Sequence, residues 1–265
     1  GVLVSHHYAA HLDDHPEDHP GMPLFIDSGG FALLFEGSSV TQHNDVYAIT
    51  TSGGETVTPQ QVLERQMRHA EIGATLDFPI PPGCEEPDER TRRFDATLAN
   101  AEWALRNNRR PDLLLYASLQ CWDGDSARVA ARAYAGMCHH DKGFAGIAIG
   151  GMVPRLRDPD YVQGVIKAVR EEWSGPIHVF GVGSPTMVRN CLEWGADSTD
   201  SSSYVKYAAN GRHVNPQIPP TPEAQLTPLG RMKLALRNLA SLNDPMNDQL
   251  PLSAVSRPLG AGEDP

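Results

Sequence analysis

The chain has 265 residues, of which 40% are hydrophobic, enough for the core of a single α/β domain. No apolar run approaches the roughly 20 residues that span a bilayer, and the first residues lack the charged region of a signal peptide. The net charge is −11, from 33 acidic and 22 basic residues. A non-specific nucleic-acid binder has the opposite balance, because neutralising phosphates supplies most of its affinity. The composition therefore predicts a soluble protein without a membrane partner.

The four cysteines are widely spaced and form no Cys-x-x-Cys pair. They are Cys84, Cys121, Cys138 and Cys191. Such spacing is typical of reduced thiols, so we expect a cytoplasmic protein rather than a disulfide scaffold.

Apolar, strand-like runs alternate with helical patterns over most of the chain. The predicted strands are 24–27, 74–78, 113–119, 146–149, 177–181 and, more weakly, 197–200. The predicted helices lie near 59–72, 88–107, 125–140, 158–173 and 185–194. Thr58 followed by Pro59, with Gln61 three residues after the threonine, is typical of a helix start. The repeated order of strand, loop and helix predicts a parallel sheet covered by helices.

Polar side chains follow several of these strands at the point where each strand ends. They are Asp27, Asp77, Gln120 and Asp200. A closed (β/α)8 TIM-type barrel gathers such strand ends around one mouth, whereas an open sheet spreads them along an edge. We therefore favour a barrel over an open doubly wound sheet.

Two further regions have a different character. We assign residues 1–215 to the barrel, and residues 216–265 to a proline-rich segment, a helix near 229–242 and a loose end over 251–265. Residues 11–19 are rich in histidine and carboxylates. We expect a solvated loop there rather than a metal site, because nothing in the pattern enforces a coordination geometry.

The candidate catalytic groups are carboxylates at strand ends. Asp27 precedes Ser28-Gly29-Gly30, where glycines let a substrate approach the backbone, although the aspartate and serine also suit a turn. The other is Asp197 or Asp200, because opposite ends or faces of one strand cannot both point into the mouth. Gly150-Gly151 ends another strand with exposed N–H groups or a tight turn, and 181–185 is a weak anion-binding pattern.

In this order, the motifs resemble the tRNA-guanine transglycosylase superfamily. They are Asp-Ser-Gly-Gly-Phe at 27–31, Leu-Asp at 76–77, Gln120, Ala-Ile-Gly-Gly at 148–151, Gly-Val-Gly-Ser-Pro at 181–185 and Gly-Ala-Asp-x-x-Asp at 195–200. Residues 76–82 look like the archaeal-type branch. Residues 200–204 look like the branch that places 7-deazaguanines in DNA.

The resemblance implies a pentosyltransferase that exchanges a purine base at C1′ within a polynucleotide. By position, Asp200 matches the nucleophile and Asp27 the general acid and base. Asp77 matches the acceptor for the guanine edge, and Gln120 and the Gly151 N–H match donors to the base. The same base site would include Ser28, Gly150, Phe31 and Met152, and the last two suit a sandwich around the base or an ordinary core.

The chain departs from the family at its zinc site. No cysteine follows Asp200, and His213 is the only later histidine. The sequence therefore predicts no zinc and no other cofactor, or else a truncated chain. The basic candidates for backbone contact are Arg90, Arg92, Arg93, Lys206 and Arg212, and each suits a solvated helix surface equally well.

The expected partners follow from the implied reaction. They are a free base, guanine or a deazaguanine such as 7-cyano-7-deazaguanine, and a DNA substrate, with tRNA as the alternative. An acidic chain without the zinc module also suggests a helper protein or a homo-oligomer for gripping DNA. Two other hypotheses stay open at this point: a non-catalytic base-binding subunit, and an unrelated phosphate-binding barrel that uses residues 181–184.

Overall fold

The computed structural model describes residues 1–84, 86–222 and 226–243. They form two compact units. The first contains Gly1–Val182 and Asn190–Ser201, and the second contains Gly183–Arg189 and the described residues from Ser202 onward. The expected barrel boundary at residue 215 stays a prediction, and the expected loose end at 251–265 lies outside the described residues. Within the described part of the chain, no helix is both long and apolar enough to cross a membrane.

Strands and helices alternate along the chain. The strands are β1 (Val2–Ser5), β2 (Leu24–Asp27), β3 (Ser39–His43), β4 (Val46–Thr50), β5 (Thr56–Val57), β6 (Ile72–Ala74), β7 (Leu114–Leu119), β8 (Gly146–Ile149), β9 (Ile177–Val179) and β10 (Ser198–Thr199). The helices are α1 (His6–Ala9), α2 (His11–Asp14), α3 (Pro59–His69), α4 (Pro87–Asn107), α5 (Gly124–Gly136), α6 (Pro159–Glu172), α7 (Pro185–Glu193), α8 (Ser203–Ala209) and α9 (Pro228–Asn243).

Seven strands of the first unit form one parallel sheet, in the order β1-β2-β6-β7-β8-β9-β10. Phe25 on β2 and His178 on β9 stand four strands apart in this order, which is about 19 Å in a flat sheet. Their ring centroids are 5.1 Å apart. The sheet therefore curls as in a TIM-type barrel, with seven parallel strands described where eight are expected.

The helix-start pattern at Thr58 is confirmed. Its hydroxyl accepts the Gln61 N–H at 3.2 Å, and the Gln61 side chain accepts the Thr58 N–H at 2.9 Å. The predicted strand at 74–78 is wrong, because pairing stops at Ala74. Beyond it the Thr75 hydroxyl accepts the Ser118 N–H at 3.0 Å, and three prolines follow before residue 83, where ladder donors are lost.

Several elements are absent from the sequence prediction. β1 joins the parallel sheet beside β2, and β3–β5 form a separate antiparallel sheet. Residues 11–19 are not a loop throughout, because His11–Asp14 and Pro16–Asp18 form short helical turns. In this segment Nε2 of His11 lies 2.6 Å from the Asp18 carboxylate.

Gln66 fastens helix α3 to the sheet beneath it. The side chain is 1% exposed, and its amide donates to the carbonyls of Ile26 at 3.0 Å and Ala74 at 2.8 Å. The approach leaves no room for a side chain on the strand below, because a Cβ at Gly73 would stand 2.6 Å from the amide. These bonds hold the ends of β2 and β6 next to each other.

Replacing Gln66 with leucine should destabilise the protein by about 2–3 kcal/mol, because two buried carbonyls lose their donor. The free energy of unfolding in urea measures this loss. Gln60 lies exposed on the same helix, and a Gln60→Leu control should change stability by less than about 0.5 kcal/mol. Equal losses in the two variants would contradict the assigned role.

Candidate active site

Asp27 lies at the carboxyl end of β2 and is held by backbone donors. Its Oδ1 accepts the Gly29 N–H at 2.7 Å, and the backbone N–H of His6 also stabilises the carboxylate. The next residue, Ser28, is buried and accepts the Gly30 N–H at 3.0 Å. The predicted turn and the predicted carboxylate site are therefore the same loop.

Asp77 lies nearby in the segment that follows β6. The Ser28 hydroxyl donates to Oδ1 at 2.6 Å, and Nε2 of Gln120 donates to Oδ2 at 2.5 Å. Gln120 in turn accepts the Ile80 N–H at 3.3 Å. Asp77, Ser28 and Gln120 are all less than 8% exposed. Three of the side chains that the sequence predicts for the base site, Ser28, Asp77 and Gln120, thus form one buried hydrogen-bonded group.

Two glycines let these loops approach so closely. A Cβ at Gly30 would stand 2.4 Å from Oδ1 of Asp77, and a Cβ at Gly150 would stand 2.2 Å from Nε2 of Gln120. Real Cβ atoms essentially never come that near a heavy atom. Any larger residue would push apart the strand ends that carry Asp77 and Gln120.

Asp200 follows β10, the last strand of the sheet. Its Oδ1 accepts the Gly181 N–H at 2.9 Å and lies 3.3 Å from Nε2 of His178. Asp197 lies at the other end of β10, where it pairs with Arg170 at 2.7 Å and accepts the Ile177 N–H at 2.8 Å. Of these two aspartates, only Asp200 stands at the end of the sheet where Asp27 lies, and its role as nucleophile stays a prediction.

Asp77 and Asp200 are close enough to Asp27 for their charges to act on it. Burial, together with these two charges, raises the pKa of Asp27 to about 6, against the lowering effect of the Gly29 and His6 N–H groups. Burial also raises the pKa of Asp77, although the bonds from Ser28 and Gln120 oppose the change. A carboxyl whose pKa lies near 6 can give and take a proton near neutral pH.

The glycine turn after β8 is tied to the Asp77 segment by Arg155. Its Nη1 donates to the carbonyls of Gly151 at 3.1 Å and Ile80 at 2.9 Å. Met152 is fully buried, whereas Phe31 is 63% exposed and packs edge-on against Phe35 at 5.7 Å. Of the two residues proposed to sandwich a base, Met152 occupies a core position and Phe31 does not.

The candidate basic residues Arg93, Lys206 and Arg212 are divided between the two units. Arg93 donates to Glu89 at 2.7 Å and to the Pro79 carbonyl at 2.7 Å, so it is an internal tie in the first unit. Lys206 and Arg212 belong to the second unit and are exposed. Contact of all three with a polynucleotide stays a prediction.

The donors present do not fit the zinc that the family resemblance implies. In the described part of the chain, no three His, Cys, Asp or Glu side chains are arranged to hold a metal ion. The histidine after Asp200, His213, accepts the Asn215 N–H at 3.0 Å. The expectation that the protein needs no zinc and no other cofactor stays a prediction.

Sequence reasoning missed two residues at this site, His178 and Arg155. His178 is a polar residue within a short apolar strand, and this break in the apolar pattern could have pointed to a functional residue. Arg155 gives no such signal, because its role depends on two loops that are 75 residues apart.

Comparisons with known proteins identify the family of this chain. A family described as Queuine tRNA-ribosyltransferase matches residues 17–251. Similar proteins are named tRNA-guanine(15) transglycosylase: one from Methanopyrus kandleri is 27% identical over 72% of this chain and 41% of its own length. One from Haloarcula marismortui is 26% identical over 82% and 43%, and one from Pyrococcus abyssi is 31% identical over 72% and 30%. The chain spans less than half the length of each of these relatives.

The raised pKa of Asp27 predicts a pH-dependent loss of stability. Because the folded-state pKa lies above the unfolded value of 3.8, the folded protein binds the extra proton, and stability falls as the pH rises from about 4 to about 7. Asp27→Asn keeps the acceptor for Gly29 and removes the charge. The free energy of unfolding of Asp27→Asn should exceed that of the wild type by about 2–3 kcal/mol at the upper end of that pH range. A difference in unfolding free energy that stays constant with pH would contradict the raised pKa.

Proposed function

The chain belongs to the Queuine tRNA-ribosyltransferase family, and from that premise we propose that it is a pentosyltransferase that exchanges guanine at C1′ in a polynucleotide. The observation that carries the proposal is the convergence of Asp27, Asp77 and Asp200. These three residues come from distant parts of the chain, yet the charges of Asp77 and Asp200 both act on Asp27. A non-catalytic base-binding subunit would need only one of them.

Asp200 and Asp27 have separate roles in the proposed reaction. Asp200 attacks C1′, and the bond from C1′ to the guanine nitrogen breaks with its electron pair going to the base. Protonated Asp27 supplies a proton to the departing base. In the second half, Asp27 takes a proton from the incoming base, whose nitrogen attacks C1′ and displaces Asp200. The proton and the glycosyl bond are both restored at the end of the cycle.

Asp77 supplies the recognition of guanine. A carboxylate offers about four acceptor positions, and Ser28 and Gln120 occupy two of them. The remaining positions suit the adjacent N–H and NH2 donors of guanine. Adenine lacks that pair of donors, so binding adenine would leave the two remaining acceptor positions of a buried carboxylate unpaired.

The Gly150-Gly151 turn offers a hydrogen-bond donor to the base, whereas Asp77 offers acceptors. The Gly150 N–H already donates to the Leu119 carbonyl at 2.9 Å, so the Gly151 N–H is the candidate for bonding the base carbonyl. Arg155 holds the turn against the Asp77 segment. Ser28 and Gln120 fix the Asp77 carboxylate in place before a base arrives. Pre-positioning of this kind lowers the entropic cost of binding.

A tRNA substrate is the first choice for the polynucleotide, because the similar proteins carry tRNA in their names. DNA is the second candidate, and one observation favours it. Residues 200–204, Asp-Ser-Ser-Ser-Tyr, resemble the branch that places a 7-deazaguanine such as 7-cyano-7-deazaguanine in DNA. A helper protein or a homo-oligomer for gripping DNA belongs to this second candidate.

Replacing Asp200 with asparagine should abolish exchange and the covalent enzyme–nucleic acid adduct, with a loss of at least about a thousandfold in rate. The incorporation of radiolabelled guanine is measured with tRNA and, in parallel, with plasmid DNA. The covalent adduct is detected with each polynucleotide by its shift on a gel. Asp197→Asn is the matched control, because Asp197 lies on the same strand and pairs with Arg170 away from the site. It should keep exchange.

The outcomes separate the two polynucleotides. Label in tRNA alone supports the first candidate, and label in DNA alone supports the second. Exchange that survives in Asp200→Asn would refute the assignment of the nucleophile, and absence of exchange by the wild type with either polynucleotide would refute the proposed reaction.

Replacing Asp77 with asparagine should raise the KM for guanine by about a hundredfold, because an amide donor then faces the donors of the base. The KM for guanine in the exchange assay measures the effect. Asp95 is an exposed carboxylate on α4, and Asp95→Asn should leave the KM unchanged. Equal values for the wild type and Asp77→Asn would show that another group reads the base.

A further inference from the structure

His178 is a buried histidine whose ring joins the proposed nucleophile to the interior of the sheet. It is 4% exposed on β9, with Phe25 at 5.1 Å and Phe180 at 4.9 Å between ring centroids. The ring uses both nitrogens: Nε2 lies 3.3 Å from Oδ1 of Asp200, and Nδ1 lies 2.9 Å from the Ser198 hydroxyl. The aromatic packing fixes the ring plane, so the two contacts point in set directions.

We propose that His178 is a positioning residue that holds Oδ1 of Asp200 and so leaves Oδ2 as the atom that attacks C1′. The inference rests on the proposed function and adds to it a residue that orients the nucleophile. Oδ1 takes both anchoring contacts, the Gly181 N–H at 2.9 Å and His178. In the described part of the chain, neither contact involves Oδ2.

The direction of the hydrogen bond follows from the chemistry of the carboxylate. An ionised carboxylate is only an acceptor, so the hydrogen between Oδ1 and Nε2 belongs to the ring. In the neutral ring Nδ1 is then an acceptor, and the Ser198 hydroxyl donates to it. Ser198 therefore sets the tautomer that points N–H at Asp200.

Holding one oxygen matters because a carboxylate at a strand end can rotate about its last bond. With two donors on Oδ1, rotation would cost both contacts, and the plane of the group stays fixed. Oδ2 then keeps a less encumbered lone pair for the bond to C1′. Orientation of a reacting atom accounts for a large part of enzymatic rate acceleration.

Two substitutions separate the ring's contacts. His178→Gln places its amide nitrogen about where Nε2 lies and keeps a donor for Asp200. His178→Asn places its amide about where Nδ1 lies, so it keeps the Ser198 contact and cannot reach Asp200. Tyr116 packs against Phe25 in the same aromatic cluster at 5.6 Å, so Tyr116→Phe is the matched control.

The rate of covalent adduct formation in a single turnover is the first measurement. It should fall about tenfold to a hundredfold in His178→Asn, with the KM for guanine within about twofold of the wild type. His178→Gln should recover most of the rate, and Tyr116→Phe should match the wild type. A wild-type rate in His178→Asn, or equal losses in the Asn and Gln variants, would overturn the proposal.

A second measurement needs no substrate and separates this inference from the proposed function. The carbon-13 chemical shift of the Asp200 carboxyl is measured by NMR in the free protein at one fixed pH. Loss of the donor should change this chemical shift in His178→Asn and leave it near the wild-type value in His178→Gln. An unchanged chemical shift in His178→Asn overturns the positioning role, whereas absent exchange by the wild type refutes the reaction alone.

Discussion

The curl of the parallel sheet is the constraint on which the site depends. Strands β2 and β9 are separated by three others, yet Phe25 and His178 stand in ring contact. The same curvature brings Asp27 within electrostatic reach of Asp200, from opposite ends of the strand order. Parallel strands present their carboxyl ends on one side, so every chemically useful side chain of the site is delivered to one mouth.

Crowding three carboxylates into a buried mouth is electrostatically costly, and the surrounding loops offset that cost. Backbone N–H groups neutralise part of Asp27 and Asp200, and side chains do the same for Asp77. The offset is incomplete at Asp27, where burial dominates and the pKa rises to about 6, and burial also raises the pKa of Asp77. Carboxyl groups with pKa values perturbed in this way are typical of functional sites.

The glycines of the site explain why the loops can meet. Gly30 and Gly150 stand where any side chain would collide with Asp77 or Gln120. Arg155 then closes the arrangement by joining Gly151 to Ile80 through one nitrogen. The buried group around Asp77 is thus held together by the close approach of these loops.

The sequence by itself determined the alternation of strands and helices and the cap at Thr58, because local periodicity and turn chemistry depend on neighbours along the chain. It also placed Asp27, Asp77 and either Asp197 or Asp200 at strand ends. Only the tertiary structure decided between Asp197 and Asp200, ended β6 at Ala74, and made His178 and Arg155 part of the site. Those outcomes depend on contacts between residues 20 to 75 positions apart, and no local pattern records which distant strand a side chain will face.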